Sequence, residues 1–173
     1  RHRSEGGALM PAYASLQDWD ALYNFDYANG LSDDLRGNLS DNFSLAGDPI
    51  GLLADRLSAV IFLSGDIAPA RGSIVLAVDP STAFAKRETA IPQNFSELGL
   101  VTRISSRSTD PVALGRQPGV SAVVIDQATP PPADAQRFYL ANDTLHAKLI
   151  AEGILPPGSI DATAQRFRSE TGQ

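Results

Sequence analysis

The sequence predicts an α/β segment followed by a β-rich module, and three features carry that prediction. Apolar residues recur at three- and four-residue steps across 4–18 and again across 49–63, the period of a helix with one buried face. Between those stretches the run from Ala21 to Tyr27 alternates, with Tyr23, Phe25 and Tyr27 at every second position, the period of a strand. Beyond Gly65 the chain breaks into short β-branched runs bounded by Gly, Pro, Ser and Asp. This change of character divides the chain into a helix–strand–helix segment over 1–65 and a β-rich module over 66–173.

The elements follow in order. Leu9, Met10, Tyr13 and Leu16 define the first helix, with Ser4 placed to cap it and Pro11 either kinking it or opening its first turn. The join "DWD" at 18–20 passes directly into the strand expected from Ala21, and the polar loop "ANGLSDDLRGNLSDNFSLAGDP" follows, the arrangement of an α/β unit. Asp48-Pro49 combines an N-cap with a first-turn proline, and Leu52, Leu53, Leu57, Val60 and Ile61 carry an apolar stripe to about Leu63, with Gly65 as the stop. In the second module "GSIVLAVDP", "LGLVTRISS" and "VSAVVIDQA" read as strands. Short helices are expected at about 80–88 and 142–152, "TPPP" at 129–132 is a stiff connector, and "AQRFRSETGQ" reads as a further strand.

Composition narrows the function classes. A chain of 173 residues, 43% hydrophobic and 20% charged, has the makings of a folded domain rather than a disordered tail. Fourteen Lys and Arg against twenty Asp and Glu give a net charge of −6, which disfavours nucleic acid and anionic membrane as partners and leaves neutral ligands open. The absence of Cys rules out disulfides and thiolate metal sites, and two widely separated His residues make a zinc cluster improbable. No apolar run approaches the roughly 18 residues that span a bilayer. Nothing in the sequence calls for a cofactor. Both ends read as cuts through a longer protein, since the chain starts at Arg1 in a polar stretch and stops directly after the last expected strand.

Several motifs are absent. "GDPIG" and "LSGDIAPARG" contain glycines without the Lys and spacing of a phosphate loop. Ser64, Ser105 and Ser159 lack a neighbouring His and nucleophile-elbow glycines. Asp33-Asp34 are adjacent in a loop and point apart, so they read as a solvated turn rather than as a catalytic pair.

The stretch "AYASLQDWDALYNFDYA" resembles the last helix–strand unit of a (β/α)8 barrel in clan A glycoside hydrolases, especially large bacterial enzymes of the cellulase, agarase and β-galactosidase kinds. The similarity continues in "DPIGLLADRLSAVIFLSGDIAPARGSIVLAV", where such enzymes close the barrel with a helix starting at Asp-Pro and enter a β-rich module through a "GDI.PA" turn. It extends to "RFRSETGQ", which resembles the edge of that module. The resemblance spans nearly the whole chain, with its specific part between Tyr13 and Tyr27. It implies that this is the end of a barrel plus a truncated accessory module. It also implies that the acid/base and nucleophile Glu residues lie outside the sequence, on strands the chain does not contain.

That resemblance orders the candidate site residues, because barrel active sites sit at the C-terminal ends of the strands. Trp19 and Asp20 fall at the strand's entry, where Trp19 reads first as a packing residue and second as a sugar platform. Asp26, Tyr27 and Asn29 fall at its exit, where an aromatic ring can stack on a pyranose and short polar groups can bond its hydroxyls. They read equally well as a half-buried strand aromatic and turn formers. "RHRSE" becomes the loop before the first helix, on the same face, so His2 and Glu5 join the substrate-binding candidates. A lone Glu at a helix start also serves the helix dipole.

The expected function is therefore a share of the substrate cleft of a glycoside hydrolase acting on polysaccharide or oligosaccharide, with the remainder of the barrel as partner and no activity in this chain alone. The full-length parent is expected to be secreted or periplasmic. The alternative is a non-catalytic carbohydrate-binding or structural β-rich module. The two differ at the run 21–27, which needs a parallel neighbour in the first case and pairs within the chain in the second.

Overall fold

The computed structural model describes residues 4–24, 26–28, 44–78, 80–85, 95–109, 122–126, 143–161, 166–169 and 171. The chain folds as two compact units, Arg1–Ala68 and Pro69–Gln173.

The first unit is built on two packed helices, α1 (Gly6–Leu16) and α2 (Pro49–Ser64). Glu5, rather than Ser4, occupies the N-cap of α1, and it makes no side-chain capping bond. Pro11 lies inside the helix and is buried with Gly7, Ala14 and Leu16. The end of α1 explains "DWD". Asp18 takes a left-handed conformation, φ 61°, its amide donates to the Ser15 carbonyl, and the Trp19 amide donates to the Ala14 carbonyl. This is the Schellman arrangement, in which a left-handed residue lets two amides satisfy the last helical carbonyls. Its usual hydrophobic contact is present too, because Trp19 meets Tyr13 edge to face with ring centroids 5.7 Å apart. Asp fills a position that glycine ordinarily takes; its short side chain tolerates φ > 0 better than most.

Helix α2 follows its local signals. The Asp48 side chain accepts from the Ile50 amide at 3.1 Å, Pro49 opens the first turn, and Gly65 at φ 69° ends the helix one residue beyond the expected Leu63–Ser64 boundary. The helices approach closely because the contact is made by small residues: Gly7 of α1 lies directly over Ala54 of α2. Between the helices, the run expected as a strand from Ala21 joins no ladder among the described residues. Its exposure follows a period of two only in part: Ala21, Tyr23 and Tyr27 are exposed and Leu22, Asp26 and Ala28 half-buried, but Asn24, which a strict alternation would bury, is exposed as well. A strand is defined by its neighbour, and here none of the described residues supplies one.

The second unit is mixed helix and strand. Strands β1 (Ser73–Val78), β2 (Arg103–Ser108) and β3 (Ala122–Asp126) form a parallel sheet in the order β2-β1-β3. The register sets Ile74 opposite Ile104 and Val123. As the central strand of a parallel sheet, β1 is buried on both sides from Ile74 to Ala77, which is why it reads as a continuous apolar run. Helix α3 (Pro80–Ala85) and a 3-10 turn (Phe95–Leu100) lie between β1 and β2 in sequence. The expected strand "LGLVTRISS" starts later than its apolar residues because Leu98 and Val101 belong to this turn and its exit, both fully buried.

Ile74 and Leu76 pack with Phe95, Leu98 and Val101 and with Leu145 and Leu149 of α4 (Asp143–Ala151), closed by Ile154 and Leu155. The α4 terminus repeats the Schellman bonding with the customary residue, Gly153 at φ 71°, and the Ile154 amide donates to the Leu149 carbonyl at 2.9 Å. At the entry of the sheet, Thr102 Oγ1 donates to the Gly72 carbonyl at 3.1 Å and Arg103 Nη2 to the Arg71 carbonyl at 3.0 Å, tying β1 to β2. Of the last expected strand, β5 (Arg166–Phe167) pairs antiparallel with β4 (Ile160–Asp161).

Candidate functional site

The first unit contains an open groove of about 480 Å3. Four pieces of chain make it: the start of α1 (Gly6, Gly7, Met10), the run Asp20–Asn24, Leu45, and the near face of α2 (among others Gly51, Ala54, Asp55, Ser58 and Phe62). Gly7 and Gly51 both line it; Gly7 marks the close crossing of the helices over Ala54, whereas a side chain at Gly51 would press on Asp48 and Leu45.

Polar groups enter this apolar groove at a few points. Asn24 Nδ2 donates to Asp55 Oδ1, a bond across 31 residues that ties the 20–28 run to α2. Asp20 is exposed at one end and Ser58 half-buried along the wall. The far end of the run is held by backbone: the Leu45 amide donates to the Asp26 and Tyr27 carbonyls at 3.1 and 3.0 Å, and the Ala46 amide to the Tyr27 carbonyl at 2.9 Å. Ala21, Leu22 and Tyr23, in contrast, make no hydrogen bond to any described residue. Tyr13, behind the α1 terminus, has its phenol pushed above its ordinary range by burial.

The sequence-predicted residues fall in several places. Tyr27 is 61% exposed, and its carbonyl is fixed by Leu45 and Ala46 while its ring stands in solvent. Asp26 is half-buried, on the alternate side of the run, so the two are not presented together. Glu5 occupies the N-cap position of α1 without a side-chain capping bond and is exposed, away from Tyr27 in sequence and on a different element. His2 and Asn29 lie outside the described residues, as do Asp33 and Asp34. Trp19 packs against Tyr13 yet remains 45% exposed. The three serines screened for nucleophilic roles include two with turn duties: Ser64 Oγ donates to the Ile61 carbonyl and Ser159 Oγ to the Pro156 carbonyl, while Ser105 is an exposed residue of β2.

Sequence reasoning missed Asp55, Asn24 and the groove itself. Asp55 and Asn24 carry no motif, but Gly7 and Ala54, small residues on two apolar helices, are the signal of a close crossing. Among the described residues no group of three or more His, Asp or Glu side chains is placed to hold a metal ion, and no helix is long and apolar enough to cross a membrane. Compared with protein-family models, curated proteins and solved structures, the chain matches none.

Proposed function

We propose that the chain is part of a glycoside hydrolase barrel and contributes one wall of its substrate cleft. The observation that supports this reading most is the state of the 20–28 run. It lies between two helices in sequence, has backbone groups at Ala21–Tyr23 with no described partner, and exposes Tyr23 to 92% and Tyr27 to 61%. A segment of that kind wants strands beside it, as in the last unit of a parallel barrel. The exposed apolar stripe Ile50, Leu53, Leu57 and Val60 on α2 supports the same reading.

On this reading Tyr27, at the exit of the run and exposed, is the residue of this chain that stacks on a sugar ring. Asp26, half-buried and with its carbonyl accepting from the Leu45 amide, positions the loop. The chemistry belongs to two carboxyl groups elsewhere in the barrel: one protonates the leaving oxygen and the other attacks the anomeric carbon or activates water. This chain by itself holds no such pair.

The test is the coding sequence upstream of Arg1. An open frame with alternating strand and helix periods, and Glu at the ends of two strands, supports the reading, and those Glu residues become the ones to replace in a hydrolysis assay. A stop codon immediately upstream rejects it. In that case a non-catalytic carbohydrate-binding role is the second reading, supported by the separate, closed core of residues 69–173.

A further inference from the structure

We infer that the groove between α1, Asp20–Asn24 and α2 is the seat of an extended peptide segment with alternating aliphatic and basic residues, bound as an added strand along Ala21–Tyr23. Three independent features specify that occupant. Ala21, Leu22 and Tyr23 line the groove and make no hydrogen bond to any described residue, so their backbone is open to an occupant that offers donors and acceptors in a row. A segment paired with Asp20–Asn24 would run about 16 Å, five residues at strand rise.

The walls are apolar, with Met10, Leu22, Ala54 and Phe62, so alternate side chains must be aliphatic to fill them. Finally, among the described residues the groove is lined by two carboxylates, Asp20 and Asp55, and by no Lys, Arg or His. Asp55 Oδ1 is engaged by Asn24, and Asp20 makes no bond to a described residue. The surroundings reinforce that sign: residues 1–68 hold ten of the twenty Asp and Glu but four of the fourteen Lys and Arg, so this unit carries the whole net charge of −6. A strand with Lys or Arg on the side facing Asp20 and Asp55 matches it, and an acidic strand is repelled.

This deepens the barrel reading by naming the character of the neighbouring strand, and rests on it only in treating 20–28 as a strand that lacks a partner. The experiment separates the two. The full chain, isotopically labelled, is titrated with a capped hexapeptide of alternating valine and lysine, with its valine–glutamate counterpart, and with a cello-oligosaccharide, while the amide resonances of Ala21, Leu22 and Tyr23 are followed.

The expected result is saturable shifts at these amides with the lysine peptide alone. The affinity falls about two- to fivefold in Asp20→Asn, the size of one exposed ion pair, and falls further with added salt. The proposal is overturned by no shift at these amides with the lysine peptide, by equal binding of the glutamate peptide, or by preferential shifts with the oligosaccharide. It is also overturned if the same amides shift with protein concentration alone, which would make a second copy the occupant. Any of these leaves the upstream frame, and with it the barrel reading, to be decided separately.

Discussion

Replacing Gly7 with alanine tests how the groove is built. A methyl at Gly7 would lie 2.5 Å from the Ala54 carbonyl oxygen and 2.7 Å from its Cβ, where ordinary contact begins at about 3.4 Å, so α1 and α2 must part by nearly 1 Å. The obstacle is mainly backbone, which cannot rotate away as a side chain can. Overpacking of this kind costs about 1–3 kcal/mol. Alanine returns about 0.5–1 kcal/mol through its better helix propensity. The net loss is thus roughly 0–2.5 kcal/mol, centred on about 1 kcal/mol, and each kcal/mol lowers Tm by about 4–8 °C for a unit of this size.

Gly6 supplies the control, since a methyl there meets nothing within 4 Å and only the propensity gain remains. The assay is urea unfolding followed by the fluorescence of Trp19, the chain's single tryptophan, which reports on this unit alone. Gly7→Ala should lower the midpoint and Gly6→Ala raise or hold it, with unchanged m. If the two variants are equally stable, the close crossing is not what shapes the groove.

Three further outcomes are expected. Asp18→Gly relieves the left-handed strain at the end of α1 and raises stability by about 0.5–1 kcal/mol, whereas Asp18→Val lowers it; paired melts of the two distinguish this cap from a solvated turn. Gly72→Ala drives a methyl to 2.7 Å from Ile154 Cγ1, at a cost of about 1–3 kcal/mol, and the cost should largely vanish in an Ile154→Ala background; circular dichroism melts of the four-member cycle measure the coupling.

The third concerns pH. Burial raises the Tyr13 phenol above its unfolded value, so the neutral form is favoured by folding. Its contribution is fully present below the unfolded pKa of about 10 and is lost as pH rises through the folded value. Tyr13→Phe should therefore lose less stability than the parent as the pH rises above about 10, and an identical slope in both proteins would remove Tyr13 as the cause.

Much of the fold was legible because its signals are local. Asp48, Pro49 and Gly65 mark the ends of α2 in sequence and mark them in the structure. The β-branched runs at 73–78 and 122–126 form strands where expected, because a centrally buried parallel strand is apolar throughout. Their parallel pairing in the order β2-β1-β3 was not legible, since register depends on partners distant in sequence. "DWD" was read as a simple join because Asp is an uncommon choice for a left-handed cap, and only the Ser15, Ala14 and Tyr13 contacts reveal its role.

The site was less legible. Tyr27, expected from its period, does not line the groove, and the bond from Asn24 to Asp55 exists only once the 20–24 run has been brought against a helix 31 residues away.

Helix α2 gives the proposed reading a second, independent footing. One side of it, Gly51, Ala54, Asp55, Ser58 and Phe62, faces the groove. Ile50, Leu53, Leu57 and Val60, at steps of three and four, form another stripe, each between 47% and 65% exposed. Asp55 and Arg56 are its only charged residues, and Asp55 is engaged inward by Asn24. A helix apolar on two sides belongs between two layers, because a surface helix keeps a polar face for water. In the first unit only one of those layers is present among the described residues. On the barrel reading the second stripe meets another element of the same barrel. The isolated chain should then bind a hydrophobic dye through this unit, and Leu53→Glu with Leu57→Lys should abolish that binding without lowering the melting temperature. A loss of several degrees in that double variant would instead mean that the stripe is already covered within the chain.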